Sequence, residues 1–194
     1  TRTTSASCGS APEPHDRARL GETVPVDSAS VREWLVAGAV IETDEGVLLV
    51  RNLRRNGASD WTPPGGVIEA TERADIREGL AREVLEETGL RVTEWGPLLY
   101  EVVAEAPDLG WVMRAQVWRV DATDGALAVG NDPDGIVTDT VYVPLHRCGE
   151  HLESTHDWVR EPLTDWLDGR FDHQPTYRYR LEDAVAGRGR IVRL

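Results

Sequence analysis

Residues 61–90 read WTPPGGVIEATERADIREGLAREVLEETGL, and the rest of the chain is best interpreted outward from this stretch. Gly89 stands where a helix C-cap belongs, so the pattern predicts a helix that ends near it. In that helix Glu83, Glu86 and Glu87 occupy positions i, i+3 and i+4, which places their carboxylates on one face. The stretch therefore predicts a helix whose last turns crowd three negative charges together.

Two interpretations of this acidic face are open. Charged runs on helices are commonly solvated surfaces, on which a pair such as Arg82 and Glu86 adds about 0.3 kcal/mol. Alternatively, the crowded carboxylates hold a cation, and hard oxygen ligands favour Mg²⁺ or a similar divalent ion such as Mn²⁺. The preceding residues 63–66, Pro-Pro-Gly-Gly, allow a sharp turn and a close approach of the backbone to a ligand.

The pattern extends beyond the helix and carries a family resemblance. Gly66 is followed after five residues by Glu72, and after nine more by Arg-Glu-Val-Leu-Glu-Glu-Thr-Gly-Leu at 82–90. This arrangement resembles the Nudix box of the Nudix hydrolase family, which is Gly, five residues, Glu, seven residues, then Arg-Glu-apolar-any-Glu-Glu-any-Gly-apolar. The interval after Glu72 is two residues longer than in the family. We therefore predict an insertion before the helix, which leaves open whether Glu72 reaches the position of its counterparts.

The resemblance implies the Nudix fold, an α/β fold in which a mixed β-sheet is sandwiched between α-helices. Apolar runs at 34–41 and 47–50, joined by turn residues, predict a hairpin of two strands. We expect a flexible tail in residues 1–30, a Nudix hydrolase domain in 31–170 and a C-terminal extension in 171–194. The extension has the alternation of a hairpin that could pack on a partner subunit, so a homodimer stays open.

The resemblance also implies roles for the residues at matching positions. Glu86 and Glu87 would bind the metal directly, and Glu83 would bind metal or help to activate a water molecule. Arg82 would orient Glu83 through a charge-assisted hydrogen bond. The carbonyl of Gly66 would complete the metal shell.

Three further residues complete the predicted site. The family draws one more metal-binding carboxylate from the loop before a late strand, and Asp134 is the candidate here. A plain Asp-Pro-Asp-Gly turn is an equally good interpretation of residues 132–135. Arg51 and Arg54 follow a predicted strand, and their guanidinium groups could clamp the phosphates of a substrate or simply lie in a solvated loop.

Composition narrows the classes of partner. The 194-residue chain has a net charge of −13, which argues against a partner with a nucleic-acid backbone. A small phosphorylated substrate is still compatible, since bound metal ions invert the local field. No apolar run approaches the ~20 residues of a membrane helix, so no membrane partner is expected. Two cysteines, Cys8 and Cys148, are too few for a disulfide scaffold, which favours a reducing cytoplasmic setting.

Taken together, the resemblance implies a magnesium-dependent hydrolase that cleaves the diphosphate linkage of a nucleoside diphosphate joined to another moiety. Two substrate classes stay open. Nucleotide sugars or ADP-ribose would give two monophosphates, whereas nucleoside triphosphates would give one monophosphate and pyrophosphate. The alternative is a catalytically silent nucleotide-binding regulatory module, which the retained box carboxylates disfavour.

Overall fold

The structure is a computed structural model that describes residues 31–54, 57–129, 135–169, 171, 173–185 and 188–194. The flexible tail predicted for residues 1–30 and the metal ligand predicted at Asp134 lie outside these residues. Among the described helices, none is long and apolar enough to cross a membrane.

The described chain is rich in strands. The strands are β1 (Arg32–Thr43), β2 (Gly46–Leu53), β3 (Ser59–Thr62), β4 (Gly65–Val67), β5 (Arg91–Ala106), β6 (Trp111–Asp124), β7 (Val137–Val143), β8 (Thr176–Val185) and β9 (Arg188–Arg193). The helices are α1 (Ile76–Thr88), α2 (Cys148–Leu152) and α3 (Asp157–Gly169). α1 follows β4, and α2 and α3 lie between β7 and β8 in the chain.

The strands form one mixed sheet that divides into two parts. In the larger part, β1 lies between antiparallel β4 and parallel β6, and β5, β8 and β9 follow in that order. In the smaller part, β2 lies between β3 and β7 and is antiparallel to both. The predicted hairpin of β1 and β2 is present, but it pairs only at Glu42–Val47 and Thr43–Gly46. The two strands therefore separate directly after their turn, and the two parts of the sheet diverge.

The C-terminal segment is built into the larger part of the sheet. β8 and β9 form an antiparallel hairpin, as the alternation predicts. β8 also pairs in parallel with β5, from Glu101–Thr176 to Glu105–Arg180. β8 and β9 therefore extend the larger part of the sheet.

One face of the sheet packs on α1. Leu80 and Val84 lie one helical turn apart and are fully buried. They pack with Ala37, Ala39 and Ile41, which alternate along β1 and so share one face of that strand.

The opposite face of the sheet packs on α3. Val40 lies between two α1-facing positions of β1 and belongs to this second core. Leu163 and Trp166 of α3 and Tyr179 of β8 are buried with it. The predicted architecture, a mixed sheet sandwiched between α-helices, is confirmed.

The ends of α1 are fixed by local hydrogen bonds. At the start of the helix, Asp75 accepts a hydrogen bond from the backbone N–H of Arg77 at 3.1 Å. At its end, Gly89 adopts φ 71° and donates its N–H to the carbonyl of Leu85 at 2.9 Å, which confirms the predicted C-cap. Because both ends are capped, the acidic side chains of the last turns start from a defined backbone.

Candidate active site

A cleft with a volume of about 660 Å³ opens where the two parts of the sheet diverge. Two groups of polar side chains contribute to its wall, and each includes one carboxylate, Glu72 or Asp60, that binds its group without lining the cleft. The acidic cluster is Arg82 with the four carboxylates of Glu72, Glu83, Glu86 and Glu87. The Asn52 cluster is Asn52, Arg54, Asp60 and Thr62.

Arg82 is the centre of the acidic cluster. Its Nε and Nη2 donate to the two carboxylate oxygens of Glu72 at 2.8 and 3.1 Å. Its Nη2 also lies 2.9 Å from Oε1 of Glu83, and its Nη1 donates to Oε2 of Glu86 at 2.9 Å. One planar guanidinium group thus joins three carboxylates. The contact with Glu83 is the one that the predicted orienting role of Arg82 requires.

Glu72 reaches Arg82 despite the longer interval before the helix. Its Oε2 also accepts the backbone N–H of Glu69 at 3.0 Å, which fixes the carboxylate inside its own turn. Gly79 permits this position, because a Cβ on Gly79 would lie 2.7 Å from Oε2 of Glu72. The sequence analysis did not identify Gly79, because it placed this residue in the interval before the predicted helix, whereas α1 begins at Ile76.

The glycine turn, residues 63–66, whose two glycines begin β4, lies directly against the carboxylates of α1. Oε2 of Glu87 accepts the backbone N–H of Gly65 at 2.8 Å. A Cβ on Gly66 would lie 2.7 Å from Oε2 of Glu83, so only glycine lets the turn approach this closely. The structure therefore brings Gly66, predicted as a metal ligand through its carbonyl, together with the predicted carboxylate ligands.

Two carboxylates of the acidic cluster have pKa values shifted in opposite directions. Hydrogen bonding to Arg82 lowers the pKa of Glu72 below its usual value. Burial raises the pKa of Glu83, and the nearby carboxylate of Glu86 acts in the same direction, while Arg82 opposes both. The interaction with Arg82 thus outweighs the effect of burial on the pKa of Glu72, whereas burial outweighs it for Glu83. A further cation beside Glu83 would remove the remaining cost.

The donor atoms of the acidic cluster fit a hard divalent cation in kind and in charge. They are carboxylate oxygens, which hard divalent cations prefer, and the cluster contains no histidine or cysteine side chain. Four carboxylates and one guanidinium leave a net charge of −3 when all are ionised. Among the described residues, no three acidic, histidine or cysteine side chains already converge on one point. Here they bond to Arg82 and to the Gly65 N–H instead.

The arginines predicted to bind substrate lie in different places. Arg54 lines the cleft and donates from Nε and Nη2 to the carboxylate of Asp60, each at 2.9 Å. Arg51 is exposed, donates to the hydroxyl of Ser59 at 3.2 Å and is not among the described residues that line the cleft. The structure therefore brings Arg54, but not Arg51, to the cleft, and the binding role of Arg51 stays a prediction.

Asn52 is a cleft residue that the sequence analysis did not identify. It is 6% exposed, lines the cleft and donates from Nδ2 to Oδ1 of Asp60 at 3.1 Å and to Oγ1 of Thr62 at 3.0 Å. The pairing of β2 with β7 shifts register between Arg51 and Asn52, and such bulges often re-aim a side chain beside a site. The available signal was a single amide side chain in a strand of mostly apolar residues. Such a residue is buried only where it has hydrogen-bond partners, so it indicates a polar cluster.

The remaining wall of the cleft is apolar and aromatic. Met113 and Trp158 line it, together with Tyr100, which is buried within β5. The Trp158 ring is held by two neighbours: Trp111 lies edge-on with ring centroids 6.4 Å apart, and His156 is tilted at 4.6 Å. Flat apolar surface next to a few polar groups is the usual construction of a small-molecule site.

Comparison with known protein families matches residues 32–167, more than half of the chain, to the NUDIX domain. A MutT-like protein of Streptomyces ambofaciens is 46% identical over 57 residues, which are 29% of this chain and 34% of that protein. Nucleoside diphosphate-linked moiety X motif 6 of Xenopus laevis is 46% identical over 55 residues, 28% of this chain and 24% of that protein. The chain thus matches about a third and about a quarter of the length of these curated relatives.

Solved structures show the same fold. The MutT NUDIX hydrolase from Burkholderia pseudomallei matches with a TM-score of 0.51 and 26% identity, over 59% of this chain and 85% of that one. The E. coli ORF135 protein matches with a TM-score of 0.59 and 22% identity, over 74% of this chain and 97% of that one.

Proposed function

The chain belongs to the Nudix family, and from that premise we propose that it is a metal-dependent hydrolase of a diphosphate linkage in a small nucleotide. The observation that carries the proposal is the acidic cluster, in which Arg82 joins three carboxylates at the wall of an open cleft. A module that only binds nucleotides has no need to keep four carboxylates beside one guanidinium, because their repulsion costs stability.

Mg²⁺, or Mn²⁺ in its place, is the proposed cofactor. Glu83, Glu86, Glu87 and the carbonyl of Gly66 would hold it, and Asp134 remains the proposed additional ligand. When bound, the ion would offset the charge of the phosphate oxygens and lower the pKa of a bound water. The negative cluster also needs such an ion before an anionic substrate can approach it.

The side chains of the site act by holding the metal ligands in place and not by forming covalent bonds to the substrate. Arg82 holds Glu83 and Glu86 at fixed orientation through separate nitrogens of one rigid group. Glu87 fastens the glycine turn to α1 through the Gly65 N–H, so that the turn and the helix present their oxygens together. Either Glu83 or another carboxylate of the cluster acts as the base that accepts the proton of the attacking water.

The proposed substrate is a nucleoside diphosphate joined to another moiety, either a nucleoside triphosphate or a nucleotide sugar of the ADP-ribose type. The Trp158 wall offers a surface on which a base can pack, and Arg54 adds a guanidinium group to the same cleft. The proposed setting is the cytoplasm, with which the buried cysteine thiol of Cys148 is compatible. A homodimer and the division into a tail, a domain and an extension stay predictions.

The test is product analysis in the presence of Mg²⁺ with nucleoside triphosphates, ADP-ribose and nucleotide sugars. Glu87→Gln should abolish metal-dependent turnover while the chain still folds, as judged by its circular dichroism and unfolding midpoint. Glu78→Gln is the matched control, because Glu78 is exposed on the first turn of the same helix and does not line the cleft.

The products decide between the substrate classes, since two monophosphates indicate a nucleotide sugar or ADP-ribose and released pyrophosphate indicates a triphosphate. Full activity in Glu87→Gln would contradict the proposed site. No turnover with any substrate, combined with tight nucleotide binding by calorimetry, would support the regulatory module instead.

A further inference from the structure

The amide of Asn52 uses both of its donor hydrogens inside the protein. Nδ2 donates to Oδ1 of Asp60 and to Oγ1 of Thr62, at 3.1 and 3.0 Å. An amide nitrogen has two hydrogens, so its donor capacity is used up. Its carbonyl oxygen Oδ1 has no hydrogen-bond partner among the described residues and is not sealed from the cleft that Asn52 lines. Asn52 therefore presents a hydrogen-bond acceptor, Oδ1, to the cleft.

This orientation of the amide is enforced by Asp60. If the amide turned over, Oδ1 of Asn52 would face a carboxylate oxygen, and two acceptors in contact leave both without a proton. Asp60 cannot turn aside, because Nε and Nη2 of Arg54 bind its two oxygens, each at 2.9 Å. The amide of Asn52 is thus locked through a chain of two contacts that starts at Arg54.

Arg54 adds a donor beside this acceptor. Its Nε and Nη2 are bound to Asp60, whereas Nη1 has no hydrogen-bond partner among the described residues. Asn52 and Arg54 both line the cleft, which also contains the aromatic wall at Trp158. The wall can take the face of a planar ring, and the two polar groups can then meet one edge of it.

We propose that Asn52 is a specificity-determining residue that selects a nucleobase with an exocyclic amino group over one with an oxo group at the same position. An amino group donates to Oδ1 of Asn52, whereas an oxo group would face it as a second acceptor. The inference rests on the proposed function, and it adds the substrate class. Adenine and cytosine nucleotides are preferred over those of hypoxanthine and uracil.

The preference is tested on two pairs of substrates that differ at the amino position, ATP with ITP and CTP with UTP. In each pair we expect kcat/KM to favour the amino member by at least about tenfold, because the oxo member would place two acceptors against each other. Binding of AMP and IMP, measured by calorimetry without metal, should show the same direction. This second measurement does not depend on hydrolysis, so failure of the inference and failure of the proposed function are distinguishable.

Two variants test whether Oδ1 of Asn52 selects the base and whether Asp60 fixes the orientation of the amide. Asn52→Ala should bring both ratios down to about one, because the acceptor is gone. Asp60→Asn keeps the shape but lets the amide of Asn52 turn over, since the new side chain donates as well as accepts. It should therefore also lower the ratios, although Asn52 is intact. Ser59→Ala is the matched control on the same strand, and it should keep the preference.

Ratios of about one in the unmodified protein would overturn the inference. Ratios that stay high in Asn52→Ala or in Asp60→Asn, with unfolding midpoints showing that the variants are folded, would overturn it as well. If neither variant folds, the ratios of the unmodified protein and the monophosphate affinities still decide.

Discussion

The two polar clusters of the cleft balance their charges in opposite ways. In the acidic cluster four carboxylates share one guanidinium, so the cluster keeps a net charge of −3. In the Asn52 cluster Asp60 and Arg54 neutralise each other one to one, and the other two members are uncharged. The charge of the acidic cluster is balanced only when another cation binds. The Asn52 cluster is already neutral and presents a hydrogen-bond acceptor in a fixed orientation.

This difference separates two tasks within one cleft. Burial raises the pKa of Glu83, and the neighbouring carboxylates of Glu86 and Glu72 act in the same direction. Surplus negative charge is useful only where a cation has to be attracted. A neutral cluster with its donors satisfied is rigid and can discriminate between ligands without drawing in ions. We therefore expect variants of the acidic cluster to change the response to metal, and variants of the Asn52 cluster to change the choice of ligand.

The largest effect is expected from Arg82→Gln. The variant removes the one cation shared by three carboxylates, so turnover should fall by more than about a hundredfold, the upper end for loss of a group that orients metal ligands. The unfolding midpoint should also fall, and added Mg²⁺ should raise it more in the variant than in the unmodified protein.

Arg77→Gln is the control for this experiment, because Arg77 is on the same helix and its ion pair is with Asp75 alone among the described residues. An equal response to Mg²⁺ in Arg82→Gln and in the unmodified protein would mean that the acidic cluster is not short of positive charge. The contrast between the two clusters would then be lost.

Gly79→Ala tests how the acidic cluster is positioned. Alanine is favoured over glycine inside a helix by about 1 kcal/mol, yet here its Cβ would lie 2.7 Å from Oε2 of Glu72. We expect Glu72 to lose its contact with Arg82 and turnover to fall about tenfold, with no gain in stability. Steady-state rates measure the turnover, and denaturant unfolding measures the stability.

Gly149→Ala is the matched substitution, because Gly149 lies in α2 and a Cβ there would meet nothing within 4 Å. Its stability should rise by about 0.5 kcal/mol, and its turnover should be unchanged. A stabilised and fully active Gly79→Ala would show that Glu72 does not depend on the close approach of the helix.

The acidic cluster could be predicted from the sequence because its parts are local. The i, i+3, i+4 spacing of Glu83, Glu86 and Glu87 and the cap at Gly89 are properties of one helix, and helix periodicity is readable in a sequence. The reach of Glu72 was not predictable, because it depends on how the two additional residues fold before the helix. That outcome required Gly79 and the turn itself.

The Asn52 cluster could not be predicted, because its parts meet only through strand pairing. Asn52 lies on β2, while Asp60 and Thr62 lie on β3, and the register that opposes Asn52 to Asp60 is a tertiary outcome. The bulge beside Asn52 depends on β7, some ninety residues later in the chain. The same limit applies to β8, whose hairpin was predictable but whose parallel pairing with β5 was not.

Thr62→Val gives a smaller effect and separates the two partners of the Asn52 amide. The valine has nearly the same shape but cannot accept the hydrogen bond from Nδ2, so stability should fall by about 1 kcal/mol. The preference for amino-bearing bases should persist, because the carboxylate of Asp60 alone still prevents the amide from turning over. Denaturant unfolding and the ATP to ITP ratio are the measurements. Loss of the preference would show that Thr62, rather than the charge of Asp60, fixes the amide.

The smallest effect concerns the proton balance beside the Asn52 cluster. Lost hydration lowers the pKa of His156, whose ring packs on Trp158; Arg54 acts in the same direction, and Asp60 and Asp157 oppose it. The folded chain therefore binds fewer protons at this ring than the unfolded chain, whose histidine titrates at about 6.5. Stability from the neutral ring is fully present above that pH and declines as the pH falls toward the lowered pKa.

His156→Gln should remove this decline, because glutamine does not titrate. We expect the free energy of unfolding of the variant to change less than that of the unmodified protein between about pH 7.5 and about pH 5.5. Denaturant unfolding at the two pH values measures the difference. An identical pH dependence in both proteins would mean that the charges of Asp60 and Asp157 already compensate a protonated ring. The Asn52 cluster would then tolerate a protonated His156 ring next to it. Its stability would therefore not depend on the one-to-one balance of Arg54 and Asp60.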